Sequence, residues 1–99
     1  MAECKVIVIE TFDLDRQSGW CKAILKDCDG NEHVLADKMP VIGLDFNEIT
    51  KLPLEKWIGV EIVNDHGNKV EITTEKPYGI ETQDGETHFV VFRENIKED

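Results

Sequence analysis

Residues 57–74 have the sequence WIGVEIVNDHGNKVEITT, the clearest structural pattern in the chain. Apolar and polar residues alternate on both sides of the Asp-His-Gly segment at 65–67, as they do in a hairpin with one buried face. A three-residue loop closed by Gly67 in the left-handed conformation gives one continuous apolar face. The pairs predicted by this loop are Ile62 with Val70, Val60 with Ile72, and Ile58 with Thr74. The segment therefore predicts an antiparallel hairpin.

The rest of the chain has the same preference for strands. Val and Ile together number 19, whereas Ala and Leu number nine, and β-branched side chains favour a pleated surface. The strands predicted are 3–12, 18–27, 31–37, 57–64, 69–75, 78–83 and 86–93, with a short extra strand at 41–45 as an option. Asp29-Gly30 and Asp84-Gly85 suit two-residue type I′ turns, in which both central residues have positive φ. These signals predict three hairpins.

One segment interrupts the strand pattern and completes the fold prediction. Asp45 is followed three residues later by Glu48, a variant of the capping box, and Pro53 ends any helix. We therefore expect a short helical turn near 46–52 and no helix longer than about ten residues. About seven short strands in 99 residues predict a single all-β domain spanning 1–99, either a small antiparallel barrel or a two-sheet sandwich.

Composition restricts the function classes. The chain has 21 acidic and 11 basic residues, for a net charge of -10, and its two arginines, Arg16 and Arg93, are far apart in sequence. A nucleic-acid-binding surface needs concentrated Lys and Arg, so we expect no nucleic acid partner. No apolar run approaches the ~18 residues of a membrane span, and Glu3 lies where a signal peptide would be basic. Three cysteines do not form a disulfide framework. We expect a cytoplasmic protein that does not bind membranes.

Catalytic and metal-binding motifs are not apparent. The sequence contains no G-x-G-x-x-G, Walker A, H-E-x-x-H, C-x-x-C or G-x-S-x-G pattern, so we favour a non-enzymatic protein without a cofactor. Cys21, Cys28 and His33 lie on one predicted hairpin and are of the residue types that bind zinc. The odd spacing of the two cysteines directs them to opposite faces of a strand, and a fourth ligand is not evident. We therefore expect no metal site.

Two features support an alternative function. With a two-residue turn at Asp84-Gly85, Glu81 faces His88, an arrangement that can orient a general base, although cross-strand charge pairs are also ordinary stabilising contacts of about 0.2–1 kcal/mol. Trp20 follows Gly19 at the start of a strand and is a candidate for partial exposure and recognition. The alternative is a small-molecule-binding or weakly catalytic β-barrel that uses Trp20 or the Glu81/His88 pair.

Acidic residues support the leading hypothesis. The predicted pairing sets Glu61 across from Glu71, and residues 77–92 contain acids but no Lys or Arg. Single-sign fields steer oppositely charged partners, although solubility alone also explains an acidic surface. We therefore predict a non-enzymatic module for a basic protein partner, comparable in size and charge to inhibitor or immunity-like proteins. The predicted partner-binding residues are Glu61, Glu71, Glu81, Asp84, Glu86 and Trp20. A third hypothesis is a homo-oligomer formed through an edge strand.

Overall fold

A computed structural model describes residues 1–15 and 19–98, and these ranges form an all-β fold, as predicted. The strands are β1 (Ala2–Phe12), β2 (Trp20–Lys26), β3 (Glu32–Lys38), β4 (Leu54–Asp65), β5 (Lys69–Thr73), β6 (Glu81–Thr82), β7 (His88–Phe92) and β8 (Ile96–Glu98). The helices are α1 (Met39–Ile42) and two 3₁₀ helices, Phe46–Lys51 and Arg93–Asn95. Antiparallel pairing follows the order β6-β3-β2-β1-β4-β5-β7, and β8 pairs with the start of β1. The sheet curls into a half-barrel.

The concave side of the curled sheet holds the core. Alternate residues of β1 point inward, and they are joined by inward residues from the other long strands and by α1, which packs against the same cluster. The buried apolar residues are each at most 8% exposed and include Cys4, Val6, Val8, Cys21, Ala23, Leu25, Leu35, Met39, Ile42, Ile58, Val60, Val70, Ile72, Phe89 and Val91. Apolar side chains therefore fill the interior.

Several predicted element bounds need correction. The optional strand at 41–45 is wrong, because residues 39–42 form the short helix α1, with Pro40 in its first turn, where proline is tolerated. The predicted strand 78–83 is reduced to Glu81–Thr82. β4 begins at Leu54 rather than residue 57, since Leu54 pairs with Val8. The predicted start of β2 at Ser18 lies outside the described residues. The helical turn near 46–52 is confirmed as the 3₁₀ helix.

The two Asp-Gly turns lie where the sequence predicts, but each loop has three residues instead of two. At the first, Gly30 N–H donates to Asp27 O at 3.1 Å and Asp27 N–H donates to Asn31 O at 2.9 Å. At the second, Gly85 N–H donates to Thr82 O at 2.9 Å and Thr82 N–H donates to Glu86 O at 3.1 Å. Gly30 and Gly85 both have φ of 83°. Each loop is thus a type I turn followed by a left-handed glycine. The register of the last hairpin shifts by one residue as a consequence.

The hairpin at 65–67 also has a different register from the predicted one. His66 N–H donates to Lys69 O at 2.9 Å, so Gly67 and Asn68 form the loop. Ile62 pairs with Ile72, and a bulge at Val63 separates this pair from the next. The predicted pairs Ile62–Val70, Val60–Ile72 and Ile58–Thr74 are therefore wrong. The bulge inserts one extra residue into β4, which keeps the apolar residues of both strands on the inner face despite the shorter loop.

Gly59 provides a test of how the loop between β5 and β6 packs. A Cβ atom on this glycine would lie 3.0 Å from Tyr78 Cε2 and 3.3 Å from Pro77 Cδ. We expect Gly59→Val to lower the free energy of unfolding by about 1–2 kcal/mol, because the loop must move away. Urea unfolding measures this loss. In a Tyr78→Ala background the loss should fall by at least half; an equal loss in both backgrounds would contradict the proposed contact.

Candidate functional site

Two of the predicted partner-binding carboxylates lie on the outer face of β4 and β5. Glu61 lies across from Thr73, which in turn lies across from His88 on β7. Glu71 is two residues from Thr73 and lies across from Asn64. Strands are about 4.8 Å apart, so Glu61 and Glu71 are diagonal neighbours on one face. The predicted direct opposition of these two carboxylates is therefore wrong, because the loop at Gly67 and Asn68 has two residues and sets Glu71 across from Asn64.

The other three predicted carboxylates lie at β6 and the turn that follows it. Glu81 is across from Ala36 on β3, and Asp84 and Glu86 are exposed in the turn. The three-residue loop prevents the predicted Glu81/His88 pairing. His88 Nδ1 lies instead 3.2 Å from Thr87 Oγ1, and His88 pairs with Thr73 of β5. The geometry that would orient a general base is not formed by these two residues.

None of these five carboxylates is in an ion pair among the described residues. The ion pairs at 1–15 and 19–98 use other acids, Glu10, Glu48, Asp65 and Glu98, and Asp27 is hydrogen-bonded to His33. A hydrogen bond from Lys56 lowers the pKa of Glu48, and a hydrogen bond from the Arg93 guanidinium lowers the pKa of Asp65. Some carboxylates thus form ion pairs within the chain, whereas the five predicted ones have no cationic partner in that part of the chain.

Trp20 lies on the outer face of the sheet and is half-buried, as the sequence suggested. Its ring centroid is 6.0 Å from that of Phe12, the residue across from it on β1. Lys22 Nζ lies 5.8 Å from the centre of the Phe12 ring and 3.3 Å from Glu10 Oε1. The indole ring is therefore part of an aromatic pair at one end of the outer face of β1 and β2.

A row of apolar side chains crosses the same outer face and was not predicted. Ile7 pairs with Ile24, and Ile24 pairs with Val34; we call these three residues the outer apolar row. Val34 is 44% exposed, and the other two are half-buried. A depression of about 360 Å³ adjoins Val34 and is lined also by Lys22, Ala36, Glu81, Thr82 and Gln83. This surface connects a predicted carboxylate, Glu81, with exposed apolar area.

The sequence contained a signal for this row. Strands with one solvent-exposed face alternate apolar and polar residues, whereas residues 6–9 and 23–25 are continuously apolar. Such runs provide apolar side chains to both faces of a sheet. The second apolar face becomes a row only when the register aligns three strands, and the register was not predictable from any one of them.

A second depression lies near the N-terminus. It has a volume of about 320 Å³ and is lined by Met1, Ala2, Val60, Glu61, Ile62, Lys76, Pro77 and Glu98. Glu61 is the one predicted partner-binding residue that it contains. The depression is open to solvent and separate from the outer apolar row.

Asp27 and His33 form a partly buried polar cluster at the tip of the β2–β3 hairpin. Asp27 Oδ1 accepts the N–H groups of Asp29 and Asn31, each at 2.9 Å, and His33 Nε2 donates to Asp27 Oδ2 at 2.7 Å. Partial burial acts to raise the pKa of Asp27, but these hydrogen bonds outweigh it and lower the pKa below its usual value. The cluster therefore stabilises Asp27 in its charged form.

The same hairpin tip closes the half-barrel. Cys28 N–H donates to Val90 O at 2.8 Å, and the ring centroids of His33 and Phe89 are 4.9 Å apart. Since β3 and β7 lie near opposite ends of the strand order, these contacts join the two sides of the curled sheet. They also occupy the middle of the β7 edge, which disfavours the hypothesis of oligomerisation through that edge.

The three cysteines occupy separate environments. Burial raises the pKa of Cys4 to about 12, and burial together with Asp37 raises the pKa of Cys21 to about 11, so these thiols are protonated at neutral pH. Cys21 lies across from Asp37, whereas Cys28 lies in the hairpin loop. No group of three His, Cys, Asp or Glu residues suited to a metal is found within residues 1–15 and 19–98.

Comparisons with protein-family models, curated proteins and solved structures give no match to this chain. Among the described residues, no helix has both the length and the apolar character needed to span a membrane.

Proposed function

We propose that this chain is a small acidic, non-enzymatic β-domain that binds a basic protein partner. The observation that carries the proposal is the set of five outward carboxylates at β4, β5, β6 and the β6–β7 turn, none of which has a cationic partner in the described part of the chain. Charges of one sign at a surface attract an oppositely charged protein over a distance and raise its rate of association.

The interior of the half-barrel supports a macromolecular partner over an enclosed small ligand. A ligand-binding barrel has a cavity with polar groups converging in it, whereas the buried side chains at 1–15 and 19–98 are apolar except for Thr73 and Thr74. The Thr74 hydroxyl already donates a hydrogen bond to the carbonyl oxygen of Ile80, so it is not a free donor for a ligand. The catalytic alternative also loses its predicted pair, because Glu81 and His88 lie across from residues of different strands.

A reducing, cytoplasmic compartment is part of the proposal. Cys4, Cys21 and Cys28 are free thiols, and two of them are fully buried. Small domains that function in oxidising compartments commonly rely on disulfides for stability, whereas this fold is held by a continuous apolar core.

Affinity capture with two matched variants tests the proposed function. The test variant carries Glu61→Gln, Glu71→Gln, Glu81→Gln, Asp84→Asn and Glu86→Gln. The control variant carries Asp13→Asn, Asp15→Asn, Asp29→Asn, Asp45→Asn and Glu94→Gln, which removes the same number of exposed negative charges elsewhere. Wild type and control should retain a basic protein, identified by mass spectrometry, at low salt and release it at about 0.5 M salt, where the Debye length is only a few ångströms.

The expected result is loss of that basic protein from the test variant alone. Equal loss of the basic protein from the test and control variants would show that overall charge, rather than these five positions, governs binding, and full retention by both would contradict a role for the five carboxylates. Capture that persists in the test variant at high salt would contradict an electrostatic partner. It would favour recognition through Trp20, as in the alternative hypothesis of a small-molecule-binding β-barrel.

A further inference from the structure

We propose that the outer apolar row is the docking site for apolar side chains of the partner, flanked on the partner by basic residues that reach Glu55 and Glu81. This inference rests on the proposed function and adds to it the place and the chemical pattern of recognition. Interfaces obtain most of their binding energy from a few apolar or aromatic anchors, whereas peripheral charges mainly set the association rate.

The register of four strands defines the row. Glu55 of β4 lies across from Ile7 of β1. Ile7 lies across from Ile24 of β2, and Ile24 lies across from Val34 of β3. All four side chains therefore point to the same outer face of the sheet. Polar side chains usually occupy an outer face, so the exposed Val34 and the half-buried Ile7 and Ile24 leave apolar area on this one.

A parallel row supplies the second carboxylate. Glu10, Lys22 and Ala36 lie across from one another, and Ala36 lies across from Glu81 on β6. Lys22 is paired with Glu10 at 3.3 Å, so its charge is already compensated. The small side chain of Ala36 leaves the depression of about 360 Å³ between Val34 and Glu81.

The charges at the two ends of this surface indicate the chemistry of the occupant. Glu55 and Glu81 are both exposed, and neither is in an ion pair within the described ranges. Lys26 and Glu32 lie across from each other beside the row and offset each other in charge. An apolar surface with an uncompensated carboxylate at each end is complementary to a segment with apolar residues in its centre and a Lys or Arg at each end.

Strand spacing sets the length of that segment. Glu55 and Glu81 lie four strand spacings apart across the sheet, about 19 Å at 4.8 Å per spacing, and one row apart along the strands, so their separation is about 20 Å. An extended chain advances about 3.3 Å per residue, so a segment of seven residues, with six steps between its ends, spans this distance. Side chains on one side of an extended chain recur at every second residue. The inferred pattern is therefore basic, apolar, apolar and basic at alternate positions.

A synthetic peptide of this pattern is the probe. The test peptide is Lys-Ser-Leu-Ser-Leu-Ser-Lys, and the control peptide of equal charge is Lys-Ser-Ser-Ser-Ser-Ser-Lys. Titration of the isotopically labelled full chain, followed by NMR, gives the dissociation constants and the perturbed amides. We expect the leucine peptide to bind at least about fivefold more tightly, because its apolar side chains are removed from water. The perturbed amides should include those of Ile24, Val34 and Glu81.

Two valines form a matched pair of variants. Val34 and Val63 are 44% and 45% exposed, but Val63 lies at the β4 bulge, outside the outer apolar row. Val34→Ser should weaken binding of the leucine peptide at least about threefold, whereas Val63→Ser should leave it unchanged. Circular dichroism and urea unfolding establish that both variants remain folded, so that a change in binding reports on the surface.

The outcomes separate this inference from the proposed function. If Glu81→Gln and salt weaken both peptides but the two valine variants bind alike, the carboxylates bind basic segments and the docking site is overturned. If Val34→Ser changes the sedimentation coefficient of the free protein, the row contacts a second copy of this chain, and the inference is equally overturned. A leucine-dependent affinity that falls with Val34→Ser alone supports it.

Discussion

Asp27→Ala is expected to lower the free energy of unfolding by about 2–3 kcal/mol, the largest loss of stability that we expect from one surface-loop residue. The carboxylate accepts two backbone N–H groups of its own turn and a third hydrogen bond from His33 at 2.7 Å. Its side chain is only 14% exposed, so water cannot fully replace these bonds. The turn also positions Cys28 N–H to bond Val90 O across the closed half-barrel. Chemical denaturation provides the measurement.

Two control variants assign this loss to the carboxylate contacts. Asp27→Asn keeps an oxygen for the two backbone N–H groups and removes the charge, so we expect a loss of about 1 kcal/mol. Asp29→Ala changes an exposed carboxylate in the same loop and should cost less than about 0.5 kcal/mol. Equal losses for Asp27→Ala and Asp29→Ala would show that the loop, and not the Asp27 hydrogen bonds, determines stability.

The stabilisation from Asp27 should depend on pH in a defined direction. Because its pKa is lower in the folded protein than in an unfolded chain, the ionised carboxylate stabilises the fold above the ordinary aspartate pKa of about 3.9. This contribution is lost as the pH falls through the lower folded pKa. The difference in unfolding free energy between wild type and Asp27→Asn should therefore shrink below about pH 4. A difference that stays constant down to pH 2 would exclude a charge-dependent role.

Local sequence predicted the positions of the turns but not their lengths. Gly30 and Gly85 mark the tips, because a positive φ is needed there. The loop length depends on a second feature, an acceptor side chain at the first turn position: Asp27 Oδ1 accepts Asn31 N–H, and Thr82 Oγ1 accepts Glu86 N–H at 3.0 Å. Such side-chain bonds favour the three-residue loop over the two-residue one. The Asp-Gly dipeptide alone does not contain this information.

Cross-strand neighbours were less predictable than exposure. Glu61, Glu71, Glu81, Asp84 and Glu86 were all expected to face outward, and each is exposed or half-buried. Their neighbours depend on register, and the two-residue loop at Gly67 and Asn68 sets Glu71 across from Asn64 instead of Glu61. The closing contacts of the β2–β3 tip with β7 join residues about 60 apart in sequence, and no local pattern indicates them.

Removal of the five outward carboxylates should slow association with the basic partner by about 10–100-fold and leave dissociation nearly unchanged. Exposed charges act on the approach of the partner, because their field extends about one Debye length, ~10 Å at 0.1 M salt, beyond the surface. The wild-type association rate should therefore fall steeply between low and physiological salt, and the variant's rate should depend on salt much less. Stopped-flow or surface-based kinetics with the captured partner gives both rates.

The control variant from the capture experiment separates position from net charge. It loses the same number of negative charges at Asp13, Asp15, Asp29, Asp45 and Glu94, so a field determined by net charge alone would slow association equally in both variants. A localised field slows it mainly in the test variant. The test substitutions should leave stability unchanged or slightly higher, since Glu61 and Glu71 are diagonal like charges and their mutual repulsion is removed. If both variants associate as fast as wild type and merely aggregate sooner, the five carboxylates serve solubility, and the proposed electrostatic recognition of a basic partner is contradicted.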